Sequence, residues 1–143
     1  MERRCRCVWK LSSTDRKAAV RELLDTLPLA DKTKDLLTRA LETREQAGPT
    51  VIRTGISLPH CRSLLVDDFQ IAVGRSVKGV EWHGQKVNVV ILMISPVTPG
   101  GPQQHMELMK HIATRIRDSG LKGITGAGTP EKLAGVLGFE LED

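Results

Sequence analysis

Residues 87–95 read Val-Asn-Val-Val-Ile-Leu-Met-Ile-Ser, apolar at nearly every position. A strand with one wet face alternates with period two, whereas a run apolar on both faces belongs in the middle of a sheet covered from each side. The run is far shorter than the ~20 apolar residues of a membrane span. A chain containing it must therefore supply helices for both faces of a sheet, and the remaining sequence offers them.

A strand is expected over residues 7–11, followed by Ser12-Ser13-Thr14 as a helix-start cluster with Asp15 in the first turn. Val20, Leu23, Leu24 and Leu27 keep the spacing of one helix face, and Pro28 stops that helix. A second helix is predicted over residues 31–47, with Leu36, Leu37, Ala40 and Leu41 inward and Gly48-Pro49 as its end. Residues 50–59 read as extended, with Leu58 held so by the following proline, which puts His60 just beyond a strand end. Residues 69–75 alternate as a strand, and residues 79–82 with the Gly84-Gln85 turn lead into the apolar run. After a proline- and glycine-rich loop, a helix is predicted over 102–119 with Met106, Met109, Ile112, Ala113 and Ile116 inward, and a short one from Thr129-Pro130-Glu131 to about residue 137. Strand, two helices, several strands, then helices is the order of a three-layer α+β domain with a mixed sheet.

With 143 residues, 27% charged and 40% apolar, and with no repeat or long linker, one domain over residues 1–143 is expected. The net charge of +4 is spread along the chain and aromatics total 3%, which argues against nucleic acid as a partner. The opening Met1-Glu2-Arg3-Arg4-Cys5-Arg6-Cys7 has no apolar run behind it to make a secretory signal, and the expected location is cytoplasmic, without membrane insertion. Three irregularly spaced cysteines fit a reducing compartment. Cys5 and Cys7 lack the second pair that a zinc site requires and read as strand residues on opposite faces.

Four histidines carry the possible chemistry: His60, His83, His105 and His111. His60 follows a rigid proline at a strand-to-loop junction and has Arg62 close by in sequence. His105 falls in the first turn of a helix, where free backbone N–H groups and the helix dipole favour an anion. His111, rotated by about 240° from His105 on that helix, reads as solvated, and His83 as a turn residue. On the residues alone, His60 and His105 fit either a two-imidazole anion site or one structural and one capping histidine. A Cys61–His60 nucleophile pair is disfavoured because adjacent strand residues point to opposite sides. A metal-dependent hydrolase using His60, Cys61 and His105 lacks any H-x-x-x-H pair or matched acidic ligand.

The segment Thr50-Val51-Ile52-Arg53-Thr54-Gly55-Ile56-Ser57-Leu58-Pro59-His60-Cys61-Arg62 resembles the active-site signature T-G-I-G-N-G-I-A-I-P-H-x-R of the enzyme IIA domains of bacterial sugar phosphotransferase systems, of the mannitol, fructose and nitrogen-regulatory type. Arg44-Glu45 matches an R-E step before it, Gly79-Val80-Glu81-Trp82 and Gly84-Gln85-Lys86-Val87 resemble the G-I-D-F and G-Q-P-V turns, and Gln104-His105-Met106 resembles E-H-L. The resemblance runs from about residue 8 to residue 141. It implies a three-layer α/β/α sandwich with a mixed central β-sheet, with His60 as phosphoryl acceptor, His105 as its neighbour and Arg44 as anion clamp. It further implies an HPr-like phosphocarrier protein as donor, an enzyme IIB-type domain as acceptor, and no cofactor; the nitrogen-regulatory members imply instead a module that controls a target protein by contact. A neutral His60 imidazole open to solvent would attack phosphorus on a phosphohistidine, and a shallow apolar rim would receive the two partners in turn. The sequence leaves the tautomer of His105 open. Val51, Arg53 and Thr54 depart from the glycines and asparagine of the signature, so the loop before the acceptor is expected to tolerate fewer left-handed backbone angles.

Overall fold

The computed structural model describes residues 3–142. In chain order the elements are β1 (Arg4–Val8), α1 (Arg16–Leu24), α2 (Asp31–Gln46), β2 (Val51–Arg53), β3 (Ile56–Ser57), β4 (His60–Ser63), β5 (Gln70–Trp82), β6 (Gln85–Pro96), α3 (Gly101–Thr125), α4 (Pro130–Val136) and β7 (Glu140–Leu141). The strands form one sheet in the order β2-β3-β6-β5-β1-β7, with β4 also pairing with β6. β6 runs parallel to β3 and β4 and antiparallel to β5, so the sheet is mixed.

The two-faced strand is where the apolar run put it. Val89, Ile91 and Met93 pack with Leu108, Ile112 and Ile116 of α3 and Leu133 of α4, while Val90, Leu92 and Ile94 pack with Leu23 and Leu24 of α1 and Leu37 and Leu41 of α2. Period-two alternation thus feeds two separate cores from one strand, and the result is the three-layer sandwich.

Several local expectations are corrected. The first strand starts at Arg4, before the expected residue 7. Cys5 and Cys7 belong to the same core, because residues two apart on a strand share a face; burial pushes their thiols up to about 12 and about 11. Asp15 is the N-cap of α1, its carboxylate accepting from the Ala18 N–H, while Ser12 and Ser13 donate to Glu22. On α2 the buried stripe is Lys34, Leu37, Leu41 and Glu45, which leaves Leu36 and Ala40 outside. On α3 it is His105, Leu108, Ile112 and Ile116, so Met106 and Ala113 face out. Each buried stripe ends in a polar residue, Glu45 four positions after Leu41 and His105 three positions before Leu108. The regular part of α3 ends at Ser119, as expected, and Gly120 breaks it with φ +71° before a last helical stretch to Thr125.

Residues 69–75 and 79–82 merge into the single strand β5 through a register shift between Arg75 and Val80, with Gly79 at φ +93°. Such a bulge bends and twists its strand. Beyond it Trp82 is fully buried against the α1/α2 layer. Truncating Leu92 to Ala is expected to lower stability by about 2–5 kcal/mol, read as a drop in the urea midpoint with little change in slope.

Candidate functional site

Proline 59 shapes this end of the molecule. Having no N–H, it interrupts the ladder between β3 and β4, yet its carbonyl still accepts from the Met93 N–H at 3.0 Å. The chain therefore continues along β6, and His60, expected just beyond a strand end at the junction with a loop, is instead the first residue of β4. His60 lies opposite Met93 and Arg62 opposite Ser95, so these four share the α3 side of the sheet. Cys61 points the other way into the α1/α2 core, which separates it from His60 as expected, and burial raises its thiol to about 11.

On the same side α3 begins. Its N-cap, Gly100, has φ +77° and makes no side-chain cap bond. A Cβ placed on Gly101 would stand 3.0 Å from Arg62 Nη2 and 3.1 Å from the Pro96 carbonyl oxygen, so the chain and the arginine meet where only glycine fits without displacement. One turn later His105 faces inward with its ring centroid 5.6 Å from that of His60.

The expectation of an acceptor ring open to water is corrected: His60 is 9% and His105 8% exposed. His60 Nδ1 lies 2.7 Å from the Leu58 carbonyl oxygen. A carbonyl can only accept, so Nδ1 carries the proton and Nε2 keeps its lone pair. Burial pushes the His60 imidazole below its ordinary value; the Leu58 carbonyl and Glu45 oppose this, and the Arg44 charge adds to it. His105 is likewise lowered, first by burial and then by the charges of His60 and Arg62, and its Nδ1 is 2.7 Å from Ser95 Oγ.

Arg44, the expected clamp, sits in the last turn of α2 and donates from Nη1 to the Gly48 carbonyl at 3.0 Å; its charge is felt at His60. Arg62 is nearer the α3 side of the site, and its Nε–H is buried without an acceptor. Its place was legible in the P-H-x-R spacing, since a residue two beyond His60 on a strand must share its face. Glu45 was overlooked. It is 3% exposed and its two oxygens accept from Thr50 N and Oγ1 and from Trp82 Nε1, with His83 Nε2 also 3.2 Å away. His83 is a turn residue as expected, at φ +51°. His111 is not solvated: it is half-buried with its ring against Phe139 at 6.2 Å, beside the Leu137–Gly138 backbone.

Gly55, at φ +86°, alone carries the left-handed angle in the loop before the acceptor, and Val51 to Arg53 are strand. Residues 51 and 53 thus lie in extended backbone, in keeping with the expectation of few left-handed angles before His60. Ile52, 41% exposed, and Met106, 63% exposed, border a shallow apolar depression over Leu58 and Met109. Leu64 and Leu65 after β4 and Val97 after β6 are also exposed at this end of the sheet.

A mixed sheet between two helical layers is shared with IIA proteins of known structure. The chain superposes on the nitrogen regulatory protein IIA-Ntr from Neisseria meningitidis with a TM-score of 0.74 at 20% identity, covering 92% of each chain. On IIA mannitol from Escherichia coli the TM-score is 0.63 at 14% identity, covering 90% of this chain and 94% of that one. The particular family follows from the sequence: residues 6–137 match the phosphoenolpyruvate-dependent sugar phosphotransferase system, EIIA 2. The chain belongs to that family, whose domains take part in phosphoryl transfer within the system. It is 28% identical over 131 residues to the PTS system 2-O-alpha-mannosyl-D-glycerate-specific EIIABC component of Escherichia coli strain K12, covering 87% of this chain and 20% of the relative. It is also 28% identical over 111 residues to the PTS system fructose-specific EIIABC component of Bacillus subtilis strain 168, covering 74% of this chain and 17% of the relative. The chain thus spans about a fifth of the length of these relatives. Among the described residues no helix is long and apolar enough to cross a membrane.

Two outcomes follow from this geometry. Replacing Glu45 with Ala leaves the Thr50 N–H and the Trp82 indole N–H buried without an acceptor, and is expected to cost about 3 kcal/mol in denaturant unfolding. His60, His105 and His111 are all held below the ordinary value of 6.5, so below that pH the unfolded chain binds more protons than the folded one. Their contribution to stability is complete above pH 6.5 and is lost as pH falls below it; the urea midpoint at about pH 5.5 should be lower than at about pH 7.5.

Proposed function

We propose that this chain carries a phosphoryl group on Nε2 of His60, taking it from the phosphohistidine of an HPr-like carrier protein and passing it to an enzyme IIB-type acceptor. The observation that carries the reading is the 2.7 Å contact of His60 Nδ1 with the Leu58 carbonyl oxygen, which leaves Nε2 as the free lone pair. Burial favours the neutral ring, the nucleophilic form.

In the forward step the Nε2 lone pair forms the new N–P bond while the donor's N–P bond breaks, its electron pair returning to the donor imidazole. The phosphorylated His60 ring keeps its Nδ1 proton and gains positive charge, which the Leu58 carbonyl stabilises. Nothing covalent is asked of the rest of the site. It must align the reactants and neutralise the equatorial oxygens, work suited to Arg44, a ring N–H of His105 and the start of α3. The second transfer reverses these roles with a cysteine or histidine of the IIB-type domain as nucleophile. The exposed Ile52, Met106, Leu64, Leu65 and Val97 supply an apolar rim on which two partners dock alternately.

Incubation with a phosphorylated HPr-type protein should label the chain with one acid-labile phosphate, absent from His60→Ala. Label persisting in that variant would overturn the acceptor assignment. His105→Ala should still accept phosphate, slower by roughly 10²-fold or more, as expected for loss of one transition-state donor. Acceptance rate should fall as pH drops below the depressed value of His60, because the protonated ring has no free lone pair.

A further inference from the structure

The acceptor reading leaves a question about chemistry: two imidazoles face one anion site, and something must make one a nucleophile and the other a donor. For His60 the Leu58 carbonyl decides it. For His105 the partner is Ser95 Oγ at 2.7 Å, and a hydroxyl can either donate or accept.

The surroundings of Ser95 resolve the direction. Ser95 is fully buried, the last inward-facing polar residue of the apolar strand β6. Among the described residues its hydroxyl has no hydrogen-bond partner besides His105. Its neighbour in register is Arg62, whose guanidinium offers only N–H donors. Were Ser95 to accept from His105 Nδ1–H, its own O–H proton would be buried with nothing to receive it, at the desolvation cost of an orphaned donor. With Ser95 donating, that proton is paired and only oxygen lone pairs remain unused, the cheaper deficiency.

We infer that Ser95 is a positioning residue: its hydroxyl donates to His105 Nδ1 and thereby fixes the His105 proton on Nε2. This inference deepens the acceptor reading and takes its functional meaning from it. The two rings become opposite in kind. His60 has Nδ1–H and a bare Nε2; His105 has a capped Nδ1 and an Nε2–H. His105 then has no free lone pair with which to compete for phosphorus, and it presents a neutral N–H to a phosphoryl oxygen. Burial and the nearby charge of Arg62 keep it neutral.

The test is long-range proton–nitrogen correlation on ¹⁵N-labelled protein at a pH where both rings are neutral. Wild type should show His105 protonated at Nε2 and His60 at Nδ1. Ser95→Ala should shift His105 toward a mixture of tautomers, leave the His60 pattern unchanged, and slow phosphate acceptance by about five- to tenfold, the worth of one neutral hydrogen bond. Ser95→Thr, which restores the hydroxyl, should recover both. An Nδ1-protonated His105 in wild type overturns the inference even if Ser95→Ala fails to fold, and so does an unaltered tautomer in a folded Ser95→Ala. Failure of the wild type to accept phosphate would instead count against the acceptor reading, because the tautomer measurement needs no phosphoryl donor.

Discussion

The register between β4 and the last part of β6 is the constraint on which the site depends. Parallel pairing sets His60 beside Met93 and Arg62 beside Ser95, all aimed at α3. A slip of one residue would send His60 into the α1/α2 core and bring Cys61 into its place. What prevents the slip is the burial of both faces of β6. Val89, Ile91 and Met93 are committed to one core and Val90, Leu92 and Ile94 to the other, so a one-residue shift of β6 exchanges two well-filled apolar layers. Fold stability and the placement of the imidazoles are one property of the same strand.

The architecture was largely legible because its signal is strong and local. A run apolar on both faces implies covering layers, and i, i+3, i+4 stripes with proline and glycine stops give the helices that cover it. What escaped were features that depend on partners distant in sequence. The rotation of α2 relative to its apparent stripe goes with Glu45, a polar residue given no inward role until the Thr50 and Trp82 donors are brought to it, and the partner of the inward His105, Ser95, comes from another element. The two-residue β7 pairs with β1 from the far end of the chain and has no pattern of its own.

At the site, the residues alone left His60 and His105 open between an anion site and two structural roles, and resemblance to the enzyme IIA signature singled them out; the structure brings their rings together. Arg44 came from resemblance to the enzyme IIA signature; in the structure its guanidinium holds the Gly48 carbonyl while its charge reaches His60. The degree of burial was misjudged, and the misjudgement is instructive. A ring closed off from water is harder to protonate, so burial beside α3 keeps His60 neutral, the form the proposed acceptor role needs, whereas an open ring would spend more of its time as the cation near neutrality.

Glu45 has a bearing on how chains of this family can diverge. One of its oxygens is shared by the Trp82 indole and the Thr50 backbone, and Thr50 in turn accepts through its carbonyl from the Leu58 N–H at 2.8 Å. Leu58, whose carbonyl orients the His60 ring, is therefore three hydrogen bonds away from the tip of a hairpin formed by other strands. Remodelling that tip to suit a different docking protein is not a free choice: a longer or reshaped turn must still return an indole, or an equivalent donor, to the same carboxylate. Divergence in partner preference at this corner is confined to changes that leave the carboxylate's donors in place.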